Sequence, residues 1–105
     1  MITVTPTAAE QIRLSAKQGQ MDGLPMRIAA TRNPDDSIHY GMGFDDNRLE
    51  GDIHLTSQGI DVVVSGSSML LLSGMTLDYV EIEPGLFQFI FMNPNDPNFT
   101  SPDEA

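Results

Sequence analysis

Between Met26 and Phe44 the apolar residues return at every second position, and this period constrains the fold more than any other feature of the chain. In "MRIAATR" Met26, Ile28 and Ala30 point one way. In "IHYGMGF" Ile38, Tyr40, Met42 and Phe44 do the same, leaving His39, Gly41 and Gly43 on the opposite face. A period of two belongs to a strand with one buried face. Asn33 and Pro34 start a turn between the runs, because proline fixes φ and the asparagine side chain bonds its own backbone. The two runs therefore read as a hairpin joined through 33–37. Glycines at alternate positions on one strand face predict that another element approaches that face closely.

The remaining chain adds strands and two helices. "ITV" at 2–4 is a short strand. Thr5 and Pro6 then start a helix, with proline at the first helical position. Ala9, Ile12 and Ala16 form its narrow apolar stripe, with Leu14 to one side, and "GQMDG" at 19–23 ends it. A polar loop, "DDNRLEGD" at 45–52, precedes "IHLTSQGIDVVVSG", a short strand, a turn at Gly59 and a β-branched run at Val62–Val64. "SSMLLLSG" at 67–74 reads as a short buried helix capped by Ser67 or Ser68 and stopped at Gly74. "MTLDYVEI" and "LFQFIFMN" are strands joined through "EPG", with Phe87, Phe89 and Phe91 on one face of the second. Three prolines and no periodicity from Pro94 onward predict a disordered tail at 96–105, and residues 1–95 form one domain. The element list is that of a mainly β (α+β) domain with two short helices. At 105 residues such a chain buries roughly 65% of its unfolded surface, enough for one core without covalent staples.

Charge and composition exclude several functions. The net charge is −10, and Arg13, Lys17, Arg27, Arg32 and Arg48 are the only basic side chains. Binding to nucleic acid or anionic lipid needs several Lys or Arg on one face, so neither is an expected partner. Basic protein partners, or simple solubility, suit this surface better. The chain has no cysteine, which removes disulfides, cysteine nucleophiles and thiolate metal sites together. No apolar run reaches the length of a membrane span and "MITVTPTAAEQ" lacks the regions of a signal peptide, so a soluble cytoplasmic protein is expected.

Candidate chemistry is sparse. Asp35 and Asp36, with His39 and His54, are the residues from which a hard-cation or iron site would be built. They lack the spacing of an EF-hand loop, and Asp is common in solvated turns. Ser67 and Ser68 lie between a strand and a helix but lack the second glycine of a nucleophile elbow. Gly41-Met42-Gly43 does not continue as a dinucleotide fingerprint. No nucleophile and base stand together, and no enzyme emerges.

A gapped pattern is more specific. Gly59, Val62, Val63, Val64, Ser68, Leu72, Gly74, Leu77, Asp78, Tyr79, Phe89, Phe91, Asn93, Pro94 and Asn95 resemble the A-type iron–sulfur carrier family, also called HesB-like or IscA-like. "ITVTPTAAEQI" resembles the family's opening strand and helix, so the resemblance spans roughly residues 2–95. It implies a HesB-like fold of two small mixed sheets in a flattened sandwich or barrel with short helices. It also implies three cluster-ligand cysteines. The first would fall at Asp35 in an ungapped alignment from Met26 to Phe44, and the Cys–Gly–Cys after Asn–Pro–Asn would fall at Thr100 and Pro102. All three are missing, and Asp, Thr and Pro do not replace a soft thiolate set.

No resident cofactor is therefore expected. The resemblance implies a non-enzymatic accessory or regulatory protein acting through protein partners, with Asp35, Asp36, His39, Asn93 and Asn95 as its candidate interaction surface. The alternative is an iron-binding or iron-donating protein in cluster assembly, using Asp35, Asp36 and His39 as ligands. A narrower resemblance, to the cysteine-free DsrR subgroup found with the reverse sulfite reductase proteins of sulfur-oxidizing bacteria, implies a role in sulfur oxidation.

Overall fold

A computed structural model describes residues 2–47 and 49–97. In chain order the elements are β1 (Thr3–Val4), α1 (Pro6–Gln18), β2 (Met26–Arg32), β3 (Ile38–Phe44), β4 (Ile53–Ser57), β5 (Ile60–Val64), α2 (Gly66–Leu72), β6 (Thr76–Glu83) and β7 (Leu86–Met92).

The strands form two sheets, ordered β1-β6-β7 and β3-β2-β5-β4. Each mixes directions. β1 runs parallel to β6, with Val4 opposite Leu77, while β6 and β7 are antiparallel, with Tyr79 opposite Phe89. β2 and β3 form the expected antiparallel hairpin, from Met26 opposite Phe44 to Arg32 opposite Ile38. β2 then runs parallel to β5, which pairs antiparallel with β4. The molecule measures 38 × 37 × 21 Å, so its short axis leaves room for little more than two layers about 10 Å apart.

One core lies between these layers. Ile2, Val4, Ile28, Val62, Val64, Leu72, Met75 and Leu77 are fully buried within it. The β-branched run of β5 is explained by its place inside a sheet: Val63, on the face opposite Val62 and Val64, is buried too. α1 begins where Thr5 accepts a hydrogen bond from the Ala8 N–H (3.1 Å) and Pro6 fills the first turn. Ala8 and Ala9 are both buried, so α1 packs through small side chains. Leu14 is exposed, as its position off the stripe suggests.

Three expectations fail. α2 is capped by Ser65, whose extended backbone (φ −65°, ψ 154°) suits an N-cap and whose Oγ accepts from the Ser68 N–H. Ser67 and Ser68 are already inside the helix. Nor is α2 a buried helix: Ser68 and Leu72 face inward, but Leu70 is 82% exposed. Finally, among the described residues no element approaches Gly41 or Gly43, since a Cβ at either would meet no atom within 4 Å. The outer face of the hairpin is open over these two glycines.

Candidate functional site

The region to which the resemblance assigns the missing cysteines begins at the tip of the β2–β3 hairpin. The Asp35 carboxylate accepts from both the N–H (3.0 Å) and the hydroxyl of Ser37. Those bonds, the hydroxyl first, hold its pKa below the usual carboxylate range. Asn33 closes the turn: its N–H donates to Ser37 O (2.8 Å), its carbonyl accepts from Asp36 N–H (3.0 Å) and its side chain donates to the Ser37 hydroxyl. Asp36 takes a left-handed conformation (φ 71°), and its carbonyl accepts from the Arg32 guanidinium (2.8 Å). Asp fits both places because it tolerates positive φ and bonds backbone two residues on. His39 is exposed on β3 opposite Thr31. His54 is exposed on β4, in a separate cleft with Asp46, Asn47 and Asp61. Among the described residues no three His, Asp or Glu side chains stand close enough together to hold a metal ion.

The second part of the region is the Asn93-Pro94-Asn95 turn. Asn93 was expected on an interaction surface, but it is fully buried. Its amide donates to Leu71 O (2.7 Å) and to the Tyr40 hydroxyl (3.2 Å). Its carbonyl oxygen accepts from the N–H (3.1 Å) and side-chain amide (3.0 Å) of Asn95. Asn95 in turn donates to Leu71 O (3.2 Å) and Ser73 O (2.8 Å). Leu71 and Ser73 carry carbonyls that the end of α2 leaves without a helical partner, so the two asparagines cap that helix from across the chain. Gly74, in left-handed geometry (φ 84°), lies under Pro94, and an added Cβ there would touch Pro94 at 3.4 Å.

Tyr40 joins the two parts. Its ring stacks on Phe91 (4.5 Å between centroids, 5° between planes), and its hydroxyl donates to Asp96 (2.7 Å). Burial first, and the Asp96 carboxylate second, push the Tyr40 pKa up to about 12. Asp96, assigned to the tail by its sequence, is thus fastened to β3. Thr100 and Pro102, expected from the resemblance at the other two ligand positions, lie outside the described residues, as does the rest of 98–105.

Two further joints use residues of the pattern. Asp78 accepts from the Thr5 hydroxyl (2.7 Å) and the Tyr79 N–H (2.8 Å), tying the cap of α1 to β6. Ser68 accepts from Ala30 N–H (3.1 Å) and donates to Ala30 O (3.3 Å), tying α2 to the main chain of β2.

One cluster escaped the sequence reading. Arg27, on the outer face of β2, donates to Asp45 (2.6 Å) and twice to Asp52 (3.0 and 2.7 Å). The Arg27 guanidinium, followed by the Leu49 N–H, holds Asp52 down to about 2. The signal was present in the sequence, as a lone arginine at an outward strand position followed by an Asp-rich loop, but nothing there fixed which carboxylates it would reach.

Comparison with known proteins agrees with this architecture. The family described as iron-sulphur cluster biosynthesis matches residues 1–99. The chain belongs to that family. It is similar to the iron-sulfur cluster insertion protein ErpA of Acidithiobacillus ferrooxidans, at 32% identity over 95 residues, covering 90% of this chain and 76% of that protein. It is also similar to ErpA of Yersinia pestis, at 33% over 91 residues, covering 87% and 79%. Among solved structures, IscA with a [2Fe-2S] cluster shares the fold (TM-score 0.79, 23% identity, 100% of this chain and 96% of that one). Escherichia coli SufA matches at TM-score 0.74 and 26% identity, covering 99% and 90%. As a member of the iron-sulphur cluster biosynthesis family, this chain keeps the scaffold, yet its residues do not fit a cluster. It has no thiolate, and the Asp35 carboxylate, expected from the resemblance at a ligand position, is already bonded within its own turn.

Proposed function

We propose that this chain is a non-enzymatic accessory or regulatory protein that uses an A-type carrier scaffold without carrying a cluster, and acts through protein partners. A single observation supports this most directly. The pattern residues that remain, Ser68, Asp78, Asn93 and Asn95, serve as joints of the fold, while the ligand positions hold Asp, Thr and Pro. Selection for a stable surface accounts for that division; selection for iron–sulfur chemistry does not. The hairpin tip with Asp35, Asp36 and His39 forms one part of the partner surface, and its carboxylates favour a basic partner. The absence of all three cysteines from so acidic a chain supports the narrower DsrR-like role, in the cytoplasm of a sulfur-oxidizing bacterium. No described helix is long and apolar enough to cross a membrane.

Affinity capture from an extract of sulfur-oxidizing cells tests the reading, with untagged chain as competitor. A specific partner that is lost with Asp35→Lys/Asp36→Lys supports it. An extract that yields no competed protein contradicts it.

A further inference from the structure

The three-stranded sheet ends in a bare edge. β7 pairs with β6 alone, and among the described residues no other element bonds to its far side. Its sequence, "LFQFIFM", has no charge, proline or glycine. Exposed edges are templates for pairing with another chain, and proteins usually blunt them with short strands, charges, proline or irregularity. The other edges here are blunted. β1 has two residues, β4 has five and is tied to β1 through the Ser57 hydroxyl and Val4 N–H, and β3 carries two glycines. β7 is the exception.

The same ribbon exposes apolar side chains. Leu86 and Phe87 are each 49% exposed and Ile82 46%. The Tyr79 ring stacks with Phe87 (5.7 Å, 16°) and leans on Phe89 (4.8 Å), so the aromatic face is already arranged before anything binds. Opposite these residues on β6 are carboxylates: Glu81 is paired with Phe87 and Glu83 with Leu86. Neither is ion-paired among the described residues, and the sequence has no Lys or Arg after Arg48.

We infer that the free edge of β7 is a strand-addition site for an extended segment of a partner protein in which apolar residues alternate with Lys or Arg. Main-chain hydrogen bonds along β7 supply the affinity and the flanking side chains the selectivity. One face of the added strand lies beside Phe87 and Phe89. Its basic residues, about 10 Å from β6, come within reach of Glu83 on the Leu86 face, with Glu81 at the same end of the ribbon, over a single intervening strand. A second copy of the chain suits the edge less well, because at net charge −10 it brings the same carboxylates and no cation in its own ribbon. The inference rests on the reading of this chain as a partner-binding protein and names a surface for it. It is tested with a synthetic peptide, so its failure is distinct from a failed capture experiment.

The test is amide hydrogen exchange and NMR titration of the full chain with a short peptide alternating Lys and Val, and with its Glu/Val counterpart. The Lys peptide is expected to slow exchange along β7 and shift resonances of 79–92. Phe87→Ser and, separately, Glu81→Gln/Glu83→Gln are expected to weaken it about fivefold to tenfold, with unchanged circular dichroism. Three results overturn the inference: no protection of β7, equal binding of the Glu peptide, or β7 protection that grows with protein concentration in the absence of peptide.

Discussion

Asn93 shows what the polar residues of this chain contribute. A fully buried amide that makes four hydrogen bonds, two donated and two accepted, is costly to truncate, because its partners lose their bonds in an apolar setting. Asn93→Ala is expected to lower stability by about 1–3 kcal/mol in urea unfolding, whereas substitution of the exposed His39 should fall within about 0.5 kcal/mol. Two other residues contribute to the pH dependence of the fold. Asp52 titrates near 2 in the folded chain, below its unfolded value near 4, so its contribution is complete above about pH 4 and is lost as pH falls toward 2. Arg27→Met should reduce that acid-side slope in the pH dependence of thermal unfolding, leaving the part due to the Leu49 N–H. Tyr40 behaves in the opposite sense. Its folded value near 12 exceeds an unfolded value of about 10, so its contribution is complete below pH 10 and is lost as pH rises toward 12. Tyr40→Phe should flatten that alkaline limb.

At the scale of elements, the strands of the β2–β3 hairpin were legible because they turn one face to the core and the period of two survives in the sequence. The hairpin register, the β1–α1 junction and the β6–β7 pair all follow from Ile28, Ile38, Pro6 and the phenylalanines of β7. The cap of α2 was not legible. Ser65, Ser67 and Ser68 are chemically alike, and only backbone geometry separates the one outside the helix from the two within it. Ser65→Ala is therefore expected to cost about 1 kcal/mol in chemical denaturation, and Ser67→Ala less than about 0.5. Equal losses would return the cap to Ser67. The glycines of β3 misled for a related reason. Alternate glycines mark an open face as readily as a crowded one, and sequence alone does not say which.

At the scale of the whole molecule, scaffold and chemistry separate. The pattern by which the family is recognised is largely a set of joints, in which Thr5 meets Asp78, Ser68 meets Ala30, and Asn93 with Asn95 meets the end of α2. Those joints hold two sheets and two helices around one core, and none of them requires a cysteine. The absence of cysteine can be read directly from the sequence, whereas the assignment of Asp35, Thr100 and Pro102 to ligand positions rests on the family resemblance. What Asp35 does instead needed the turn geometry with Ser37. Restoring the thiols by Asp35→Cys/Thr100→Cys/Pro102→Cys should give a chain that takes up iron and sulfide on the same scaffold, measured by metal analysis after desalting. The most direct test is the unaltered protein under the same treatment: anaerobic reconstitution with iron and sulfide, desalting, then iron and sulfide analysis with a visible absorption spectrum. No retained iron and no charge-transfer bands are predicted. Stoichiometric iron on the native chain would contradict the account and make the Asp35–Asp36–His39 loop a metal site.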